Sequence, residues 1–475
     1  MNPSQPNQDS PAAPALAIGT MLFAIAAAVT LGQKPGSIAA PTPGTAWLQA
    51  IETGADHIEP RALASELLAA PSDLVLVDLR PANEFATWHL PGALNMTVPD
   101  VCGEPGQKLF AAKPRLVVLY SNGPAHPGQA WVALNSAGHS NVKVLAGGLD
   151  DFKTQVLTPP SLRPDTDEAT AKAELATFTL TRAFFLGDPA PKAPVFATDP
   201  TELARPTMVS AKWLHDHLGK VAVLDLRSAR DFAALHVPGA QRLDLAKIRQ
   251  KHDDRDLHFV ADDALAAAFG ALGLTVDTPV VLCADDKQQD PTMAAMALLR
   301  LGHRSLAILE GGMLRWATER RPLVAATTTP KAAKYEPRAG ADDFTITTDA
   351  LAAAVTAGST KVLDVRPPEF FRGDKSTEAR PGHIPGAVNR LYSKDVVRQD
   401  DGSWLRPAAE LRKDYEALGL SGKDPIVVSC RTGHTASHTY FVLRHLLGYE
   451  NVRWYAGSWT EWAERKDLPA ATGDK

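Results

Sequence analysis

The chain has 475 residues, too many for one hydrophobic core, and this length predicts two to four domains. Its formal net charge of -5 is small, and no long basic run occurs, which argues against a nucleic-acid partner. Three cysteines, Cys102, Cys283 and Cys430, are too few for a disulfide framework, and no pair has the spacing of zinc ligands. We therefore expect no metal site.

The N-terminal region predicts a targeting segment. Residues 1–14 are polar and rich in proline, and we expect them to be disordered. Residues 15–32 carry no charge, which is typical of a signal-peptide core or a short membrane anchor. A Pro/Gly/Ala-rich linker is expected over 33–55. The protein is thus expected to be exported or membrane-anchored, with an extracytoplasmic location; cleavage of the segment and the side of the membrane stay open.

Three short motifs recur in the same order along the rest of the chain. An apolar run ending in Asp-x-Arg begins each set, then His-x-Pro-Gly-Ala, then Gly-Gly or Gly-Ser before an apolar helix-like stretch. The first residues of these motifs are Asp78, Asp225 and Asp364, then His89, His236 and His383, then Gly147, Gly311 and Gly457. The Asp-x-Arg motifs lie 147 and then 139 residues apart, which is the size of a domain. This spacing indicates tandem domains, because the repeats of a solenoid are much shorter.

Within each repeat, apolar β-branched runs alternate with helical stretches, which predicts an α/β fold with a parallel sheet flanked by helices. The boundaries are expected at 56–158, 206–323 and 344–470, with linkers at 159–205 and 324–343. In such sheets, ligands bind beyond the carboxyl ends of the strands.

Cys430 ends the apolar run "PIVVSC" in the third repeat, at this edge of the sheet. The loop "CRTGHT" follows, and we expect a helix from near Ala436. Unpaired N–H groups at the helix start, together with Arg431, favour negative charge, so the thiol is expected to be largely thiolate. Gly433 allows the turn that points N–H groups inward, Thr432 and Thr435 offer hydroxyl donors, and His434 either donates or faces solvent.

The spacing of this loop argues against a cysteine phosphatase. That chemistry needs an arginine six positions after the cysteine, to hold phosphate through two hydrogen bonds, and here the position is Ala436. A small ring of N–H donors around a thiolate suits a persulfide instead, with the extra sulfur carrying the negative charge.

Together, these motifs resemble the rhodanese family of sulfurtransferases over about residues 60–470. The second and third repeats are similar to two-domain thiosulfate sulfurtransferases, in which an inert domain packs against an active one. The resemblance implies that Cys430 forms the persulfide and that the segment from Arg431 to Ala436 binds the anion. It also implies that the basic residue of the loop favours thiosulfate, with 3-mercaptopyruvate the less favoured donor.

The other two repeats are expected to be inert. An ungapped alignment places Ala284 opposite Cys430 and Cys283 inside the strand, followed by the carboxylates of Asp285 and Asp286. In the first repeat, Tyr120 or Ser121 takes the nucleophile position, and two prolines remove loop donors. Cys102 is expected in a loop as an exposed bystander.

The recurring motifs are given structural roles. The Asp-x-Arg pairs are expected to bond loop backbone and internal carboxylates, and the motif histidines to act as structural caps. In the third repeat, Asp364, Arg366 and Trp459 are retained as possible supports of the catalytic loop.

The predicted function is transfer of sulfane sulfur from thiosulfate to cyanide or a thiol through a Cys430 persulfide, without metal or organic cofactor. The partners are thus a small anionic donor and a thiophilic acceptor, with the membrane as a third if 15–32 is retained. Two alternatives stay open: a membrane-tethered scaffold that uses the fold for binding, and a sulfur relay to a partner protein.

Overall fold

The structure is a computed structural model that describes residues 45–163, 166–195, 199–252, 255–285, 288–339 and 341–474. The predicted targeting segment at 15–32 lies outside the described residues. The chain divides into two compact units: the described residues up to Leu67 with Pro71–Thr158, and Leu68–Ala70 with Pro159 onward. Among the described residues, no helix has both the length and the apolar character that crossing a membrane requires.

The first unit is built on a five-stranded parallel sheet in the order β1-β5-β4-β2-β3. Its strands are β1 His57–Ile58, β2 Leu74–Asp78, β3 Leu94–Asn95, β4 Leu116–Tyr120 and β5 Val142–Leu145. Its α-helices are Thr45–Thr53, Pro60–Leu68, Ala82–Thr87, Val98–Cys102, Glu104–Ala111, Ala125–Ser136 and Gly148–Phe152. The central strands β2 and β4 are runs of valine and leucine that are largely buried. Such runs are typical of a parallel sheet that helices cover on both faces.

The second repeat has the same sheet order, β6-β12-β11-β7-β8, and adds an antiparallel hairpin, β9–β10. The strands are β6 Thr207–Val209, β7 Ala222–Asp225, β8 Gln241–Arg242, β9 Arg249–His252, β10 Arg255–Phe259, β11 Val280–Cys283 and β12 Leu306–Leu309. The α-helices are Ala211–Asp216, Ala229–Ala234, Asp262–Ala271, Gln289–Arg300 and Gly312–Thr318. Side chains of Ser210 and Ser228 cap the first two, accepting from Trp213 and Asp231 N–H.

The third repeat forms a four-stranded parallel sheet, β14-β13-β17-β18, with its own hairpin, β15–β16. The strands are β13 Lys361–Asp364, β14 Val388–Asn389, β15 Val396–Gln399, β16 Gly402–Leu405, β17 Ile426–Ser429 and β18 Val452–Trp454. The α-helices are Thr348–Thr356, Pro368–Phe371, Ala408–Ala417, His434–Phe441 and Ser458–Glu464. The predicted α/β class with three tandem domains is confirmed.

The second and third repeats share one continuous hydrophobic core. The helices Gln289–Arg300 and His434–Phe441 pack against each other, and the Thr292 and Ser437 hydroxyls are 2.9 Å apart between them. Because each helix directly follows the loop at the nucleophile position of its own sheet, the two loops are held close to the boundary between the domains.

The linker predicted at 33–55 includes the helix Thr45–Thr53. The other two predicted linkers also contain ordered structure that composition did not reveal. Residues 159–205 include a 19-residue helix, Glu168–Leu186, capped by the Asp167 side chain. In 324–343, Tyr335 is buried against Phe269 and bonds His303. Packing onto the second domain orders these stretches, despite their proline and threonine content.

Candidate active site

Cys430 lies one residue beyond the end of β17, at the carboxyl edge of the third sheet. Strand pairing sets Ser429 beside Asp364, and in the second domain sets Cys283 beside Asp225. The equivalent pair in the first domain is Tyr120 with Asp78. The residues that directly follow these three strand ends, Ser121, Ala284 and Cys430, are therefore equivalent. This confirms the alignment of Ala284 with Cys430 and shows that Ser121, and not Tyr120, takes this position in the first domain.

The loop after Cys430 turns sharply into the helix His434–Phe441, two residues earlier than expected. Gly433 has φ +77, and a Cβ there would lie 2.5 Å from the Ala456 carbonyl oxygen, so only glycine fits. The Gly433 carbonyl accepts from Trp454 Nε1 at 2.9 Å. By helix geometry, the N–H groups of His434–Ala436 have no carbonyl partner within the helix, so this turn can donate to an anion.

The Ser458 side chain holds the loop through hydrogen bonds to its backbone. Its hydroxyl oxygen accepts from the N–H of Cys430 and the N–H of Gly433, both at 3.0 Å, and donates to the Tyr455 carbonyl at 2.8 Å. It lies 3.9 Å from Cys430 Sγ. The Gly433 N–H is thus engaged by Ser458, which leaves the other loop N–H groups for a bound anion.

Ser458 holds a backbone conformation that serine rarely adopts. Its φ is +51, whereas the equivalent positions in the other two domains, Gly148 and Gly312, are glycines at +69 and +61. A non-glycine residue in the left-handed region costs about 1–2 kcal/mol. Such strain persists where the surrounding structure fixes it, here through the three hydrogen bonds of the hydroxyl.

Cys430 itself is 2% exposed, and two further loop residues reach outward to carboxylates. Arg431 Nε donates to Glu378 Oε1 at 2.6 Å. His434 Nε2 is 2.9 Å from Asp290 Oδ1, a residue of the second domain. The predicted freedom of His434 to face solvent is thereby restricted, because the ring is held at the domain boundary.

The second domain makes another contact with the loop, through its hairpin. Arg249 is buried at the start of β9, and its Nη2 donates to the carbonyls of Leu257 and Thr432, at 2.7 and 2.8 Å. Phe259, at the end of β10, packs against Trp454 with ring centroids 5.4 Å apart. The second domain therefore holds the backbone of the loop that carries Cys430.

Of the predicted loop residues, Thr435 and Ala436 lie in the first turn of the helix, Thr435 half-buried and Ala436 fully buried. Sequence reasoning missed Ser458, Glu378, Arg249 and Asp290. One signal was present for Ser458: the third motif reads Gly-Gly in two repeats and Gly-Ser in the repeat that carries Cys430. The others come from distant segments whose approach no local pattern encodes.

Asp364 and Arg366 form a buried ion pair behind the loop, with Arg366 Nη2 2.6 Å from Asp364 Oδ2. The same pairs occur in both other domains, at 2.6 Å each. Trp459 stacks under the Arg366 guanidinium at 5.1 Å, and its backbone N–H donates to the Cys430 carbonyl at 3.0 Å. These residues support the strand ends, and Trp459 is the one that touches the cysteine's own backbone.

The three motif histidines have matching structural roles. Each ring stacks on the phenylalanine of the preceding helix, with centroids 3.7–4.1 Å apart, and its Nδ1 lies within 2.9 Å of that residue's carbonyl oxygen. The predicted capping role is confirmed.

The nucleophile positions of the other domains lack the chemistry of Cys430. Ser121 donates its hydroxyl to the Gly123 carbonyl at 2.7 Å, which closes the loop on itself. Cys283 is fully buried, and burial raises the pKa of its thiol well above the usual value. Asp285 lies on the adjacent loop, and Asp286 falls outside the described residues. Cys102 ends the helix Val98–Cys102, where a loop was expected, and is exposed.

A metal ion in a protein is held by several ligating side chains that lie close together. Among the described residues, no group of three His, Cys, Asp or Glu side chains is arranged to hold an ion.

All three repeats match one known family of domains. The model of the rhodanese-like domain matches residues 61–155, 210–319 and 347–465. The chain belongs to the rhodanese family. The three matched regions coincide with the three sheets, so the extra rhodanese-like domain ahead of the other two is shown as well.

Curated relatives match about the length of two of these domains. A sulfur carrier protein, TtuD, from Thermus thermophilus is 33% identical over 56% of this chain and 97% of its own length. A thiosulfate sulfurtransferase from Corynebacterium glutamicum is 32% identical over 58% of this chain and 93% of its own length. A putative thiosulfate sulfurtransferase from Synechococcus elongatus is 30% identical, covering 64% and 95%.

Solved structures show the same fold over most of the chain. The anaerobic ergothioneine biosynthesis enzyme from Chlorobium limicola, in complex with trimethyl histidine, aligns with a TM-score of 0.51 at 18% identity. The alignment covers 88% of this chain and 99% of that one. At this identity the likeness concerns the fold alone.

Proposed function

We propose that the protein transfers sulfane sulfur through a persulfide on Cys430, with thiosulfate as donor and cyanide or a thiol as acceptor. One observation carries the proposal: of the three residues that directly follow the equivalent strand ends, only Cys430 carries a thiol, and it opens a loop that turns at Gly433 into a helix N-terminus. The relatives named for thiosulfate sulfur transfer support it.

The chemistry proceeds in two displacements. The Cys430 thiolate attacks the outer sulfur of thiosulfate, a new S–S bond forms, and the old S–S bond breaks with its electron pair leaving on sulfite. The first-turn N–H groups of His434–Ala436 and the loop N–H groups of Arg431 and Thr432 stabilise the persulfide anion. The acceptor then takes the outer sulfur and regenerates the thiolate, so no oxidant or cofactor enters the balance.

The test is the intact mass of the full chain after incubation with thiosulfate, beside a Cys430→Ser variant. We expect the parent alone to gain the mass of one sulfur atom, to lose it on addition of cyanide and to release thiocyanate. A gain of sulfur in the Cys430→Ser variant would place the reaction elsewhere. The absence of any gain with thiosulfate or 3-mercaptopyruvate would refute the proposal and favour the scaffold alternative.

A sulfur relay to a protein thiol is the second candidate, and the relative named as a sulfur carrier favours it. The same persulfide serves both functions, and the acceptor distinguishes them. Loss of the added sulfur to a partner protein, at a rate that small thiols do not match at equal concentration, would identify a relay.

We also propose that residues 15–32 direct the chain to or across a membrane, because they form an uncharged stretch of sufficient length. Cell fractionation of the full chain, compared with a variant that begins after residue 40, tests this. Equal distribution of both in the soluble cytoplasmic fraction would refute it.

A further inference from the structure

A cleft of about 150 Å³ lies beside the catalytic loop, with Arg431 in its wall. The rest of the wall comes from Arg366, Pro367 and Phe370, after β13, and from residues 376–378. A single water needs only about 10–15 Å³ of such space, so the cleft has room for a small oxyanion. Because it adjoins the residue that follows Cys430, its charge bears on which sulfur donor approaches the thiol.

Both cations of this cleft are already paired within the protein. Arg366 is held by the buried carboxylate of Asp364, at 2.6 Å. Arg431 is held by Glu378, also at 2.6 Å, and the Glu378 side chain is only 3% exposed, against 49% for Arg431. In each ion pair the carboxylate offsets the charge of the arginine. The cleft therefore lacks the net positive charge that the sequence, with an arginine directly after Cys430, would lead one to expect.

Glu378 is ionised at neutral pH. Burial alone favours its neutral acid, but the hydrogen bond and charge of Arg431, with hydroxyls nearby, hold the pKa below its usual value. Thr377 Oγ1 donates to the same carboxylate oxygen at 3.0 Å, and the Glu378 backbone N–H donates to Ser376 at 3.1 Å. The carboxylate is therefore fixed in place at the wall of the cleft.

We propose that Glu378 determines donor specificity: its buried carboxylate offsets the charge of Arg431 and disfavours the dianion thiosulfate relative to singly charged sulfane-sulfur donors. Organic thiosulfonates, R–SO₂–S⁻, represent this second class. Both donors react alike, since the thiolate attacks the terminal sulfur and the S–S bond breaks with its pair on sulfite or on a sulfinate. Donors that differ by one unit charge therefore report the local field. The proposal rests on the proposed function.

The test is Glu378→Gln, which keeps the size of the side chain and an oxygen that Arg431 can bond. We compare kcat/KM for thiosulfate and for ethanethiosulfonate, with cyanide as the acceptor. We expect the ratio to shift toward thiosulfate by about fivefold to tenfold, the effect of one unit charge several ångströms away at an effective dielectric constant of roughly 40. The shift should shrink as salt is added.

Glu410→Gln is the matched control. Glu410 loses the same charge on an exposed helix of the same domain, where it pairs with Arg406 at 3.0 Å. It should leave the donor ratio unchanged. If the glutamine variant at position 378 does not fold, Glu378→Ala removes the same charge and carries the same expectation.

The outcomes separate this inference from the function beneath it. An unchanged ratio in variants that still form the persulfide would overturn the role of Glu378 alone, as would an equal loss on both donors, which would make it only a support for Arg431. Failure of the unaltered protein to accept sulfur from either donor would overturn the sulfur-transfer function itself, and this inference with it.

Discussion

Ser458 provides a quantitative test of how the loop after Cys430 is held. Replacing it with glycine removes an oxygen that accepts from two buried N–H groups, those of Cys430 and Gly433. A buried donor left without its acceptor costs about 1–3 kcal/mol, so the two together cost about 2–6 kcal/mol. Glycine also relieves about 1–2 kcal/mol of strain at φ +51. At the middle of these ranges the loss outweighs the relief, so we expect Ser458→Gly to lower the free energy of unfolding by about 2–3 kcal/mol.

Alanine separates the two contributions. Ser458→Ala loses the same hydrogen bonds and keeps the left-handed strain, so it should be less stable than the glycine variant by about 1–2 kcal/mol. Lys113, exposed in the first unit at φ +54, is a matched control. Lys113→Gly relieves strain without removing a loop contact, and should leave stability unchanged or raise it by up to about 1 kcal/mol.

Urea unfolding followed by tryptophan fluorescence measures these differences, since Trp454 and Trp459 both contact the loop. Hydrogen exchange provides a local measurement: the amides of Cys430 and Gly433 should exchange faster in both Ser458 variants. A glycine variant as stable as the parent, or an alanine variant more stable than the glycine variant, would refute the argument that these hydrogen bonds outweigh the backbone strain.

Three further predictions concern the second domain. Arg249→Lys keeps the charge but cannot bridge the carbonyls of Leu257 and Thr432. It should lower kcat about tenfold, with little change in far-UV circular dichroism. An unaltered kcat would contradict the role of Arg249 in positioning the loop. Ala284→Cys, made in the Cys430→Ser chain, should gain no sulfur by intact mass, because the loop beside it carries Asp285 and lacks the glycine turn. Glu310→Gln should raise Tm at pH 8 and leave it nearly unchanged at pH 5. Burial raises the pKa of Glu310 from 4.5 to about 7, so its contribution to stability is lost as pH rises through that range, and equal Tm changes at both pH values would contradict this.

The sequence predicted most of the fold because the motifs lie at fixed points of the sheet. An Asp-x-Arg at a strand end pairs with the same neighbouring strand in all three domains, so an ungapped alignment was enough to place Cys283 inside the strand and Ala284 opposite Cys430. The contacts of the site were harder. Glu378 reaches Arg431 across 53 residues, and Arg249 reaches Thr432 across 183, so neither approach has a local signal.

The two hairpins explain how paired domains of one fold differ in chemistry. The hairpin of the second domain carries Arg249 to the backbone of the loop after Cys430, where it bonds the Thr432 carbonyl. The hairpin of the third domain contacts the second domain in turn. The Ser403 carbonyl accepts from Gln288 Nε2 at 3.1 Å, and a Cβ at Gly402 would lie 2.5 Å from the Gly311 carbonyl oxygen. The hairpin of the third domain therefore contacts the start of the helix Gln289–Arg300 and the turn at Gly311. The second domain thus has a physical reason to be kept: without it, the Thr432 carbonyl would lose Arg249, and the helix after Cys430 would lose its contact through Thr292.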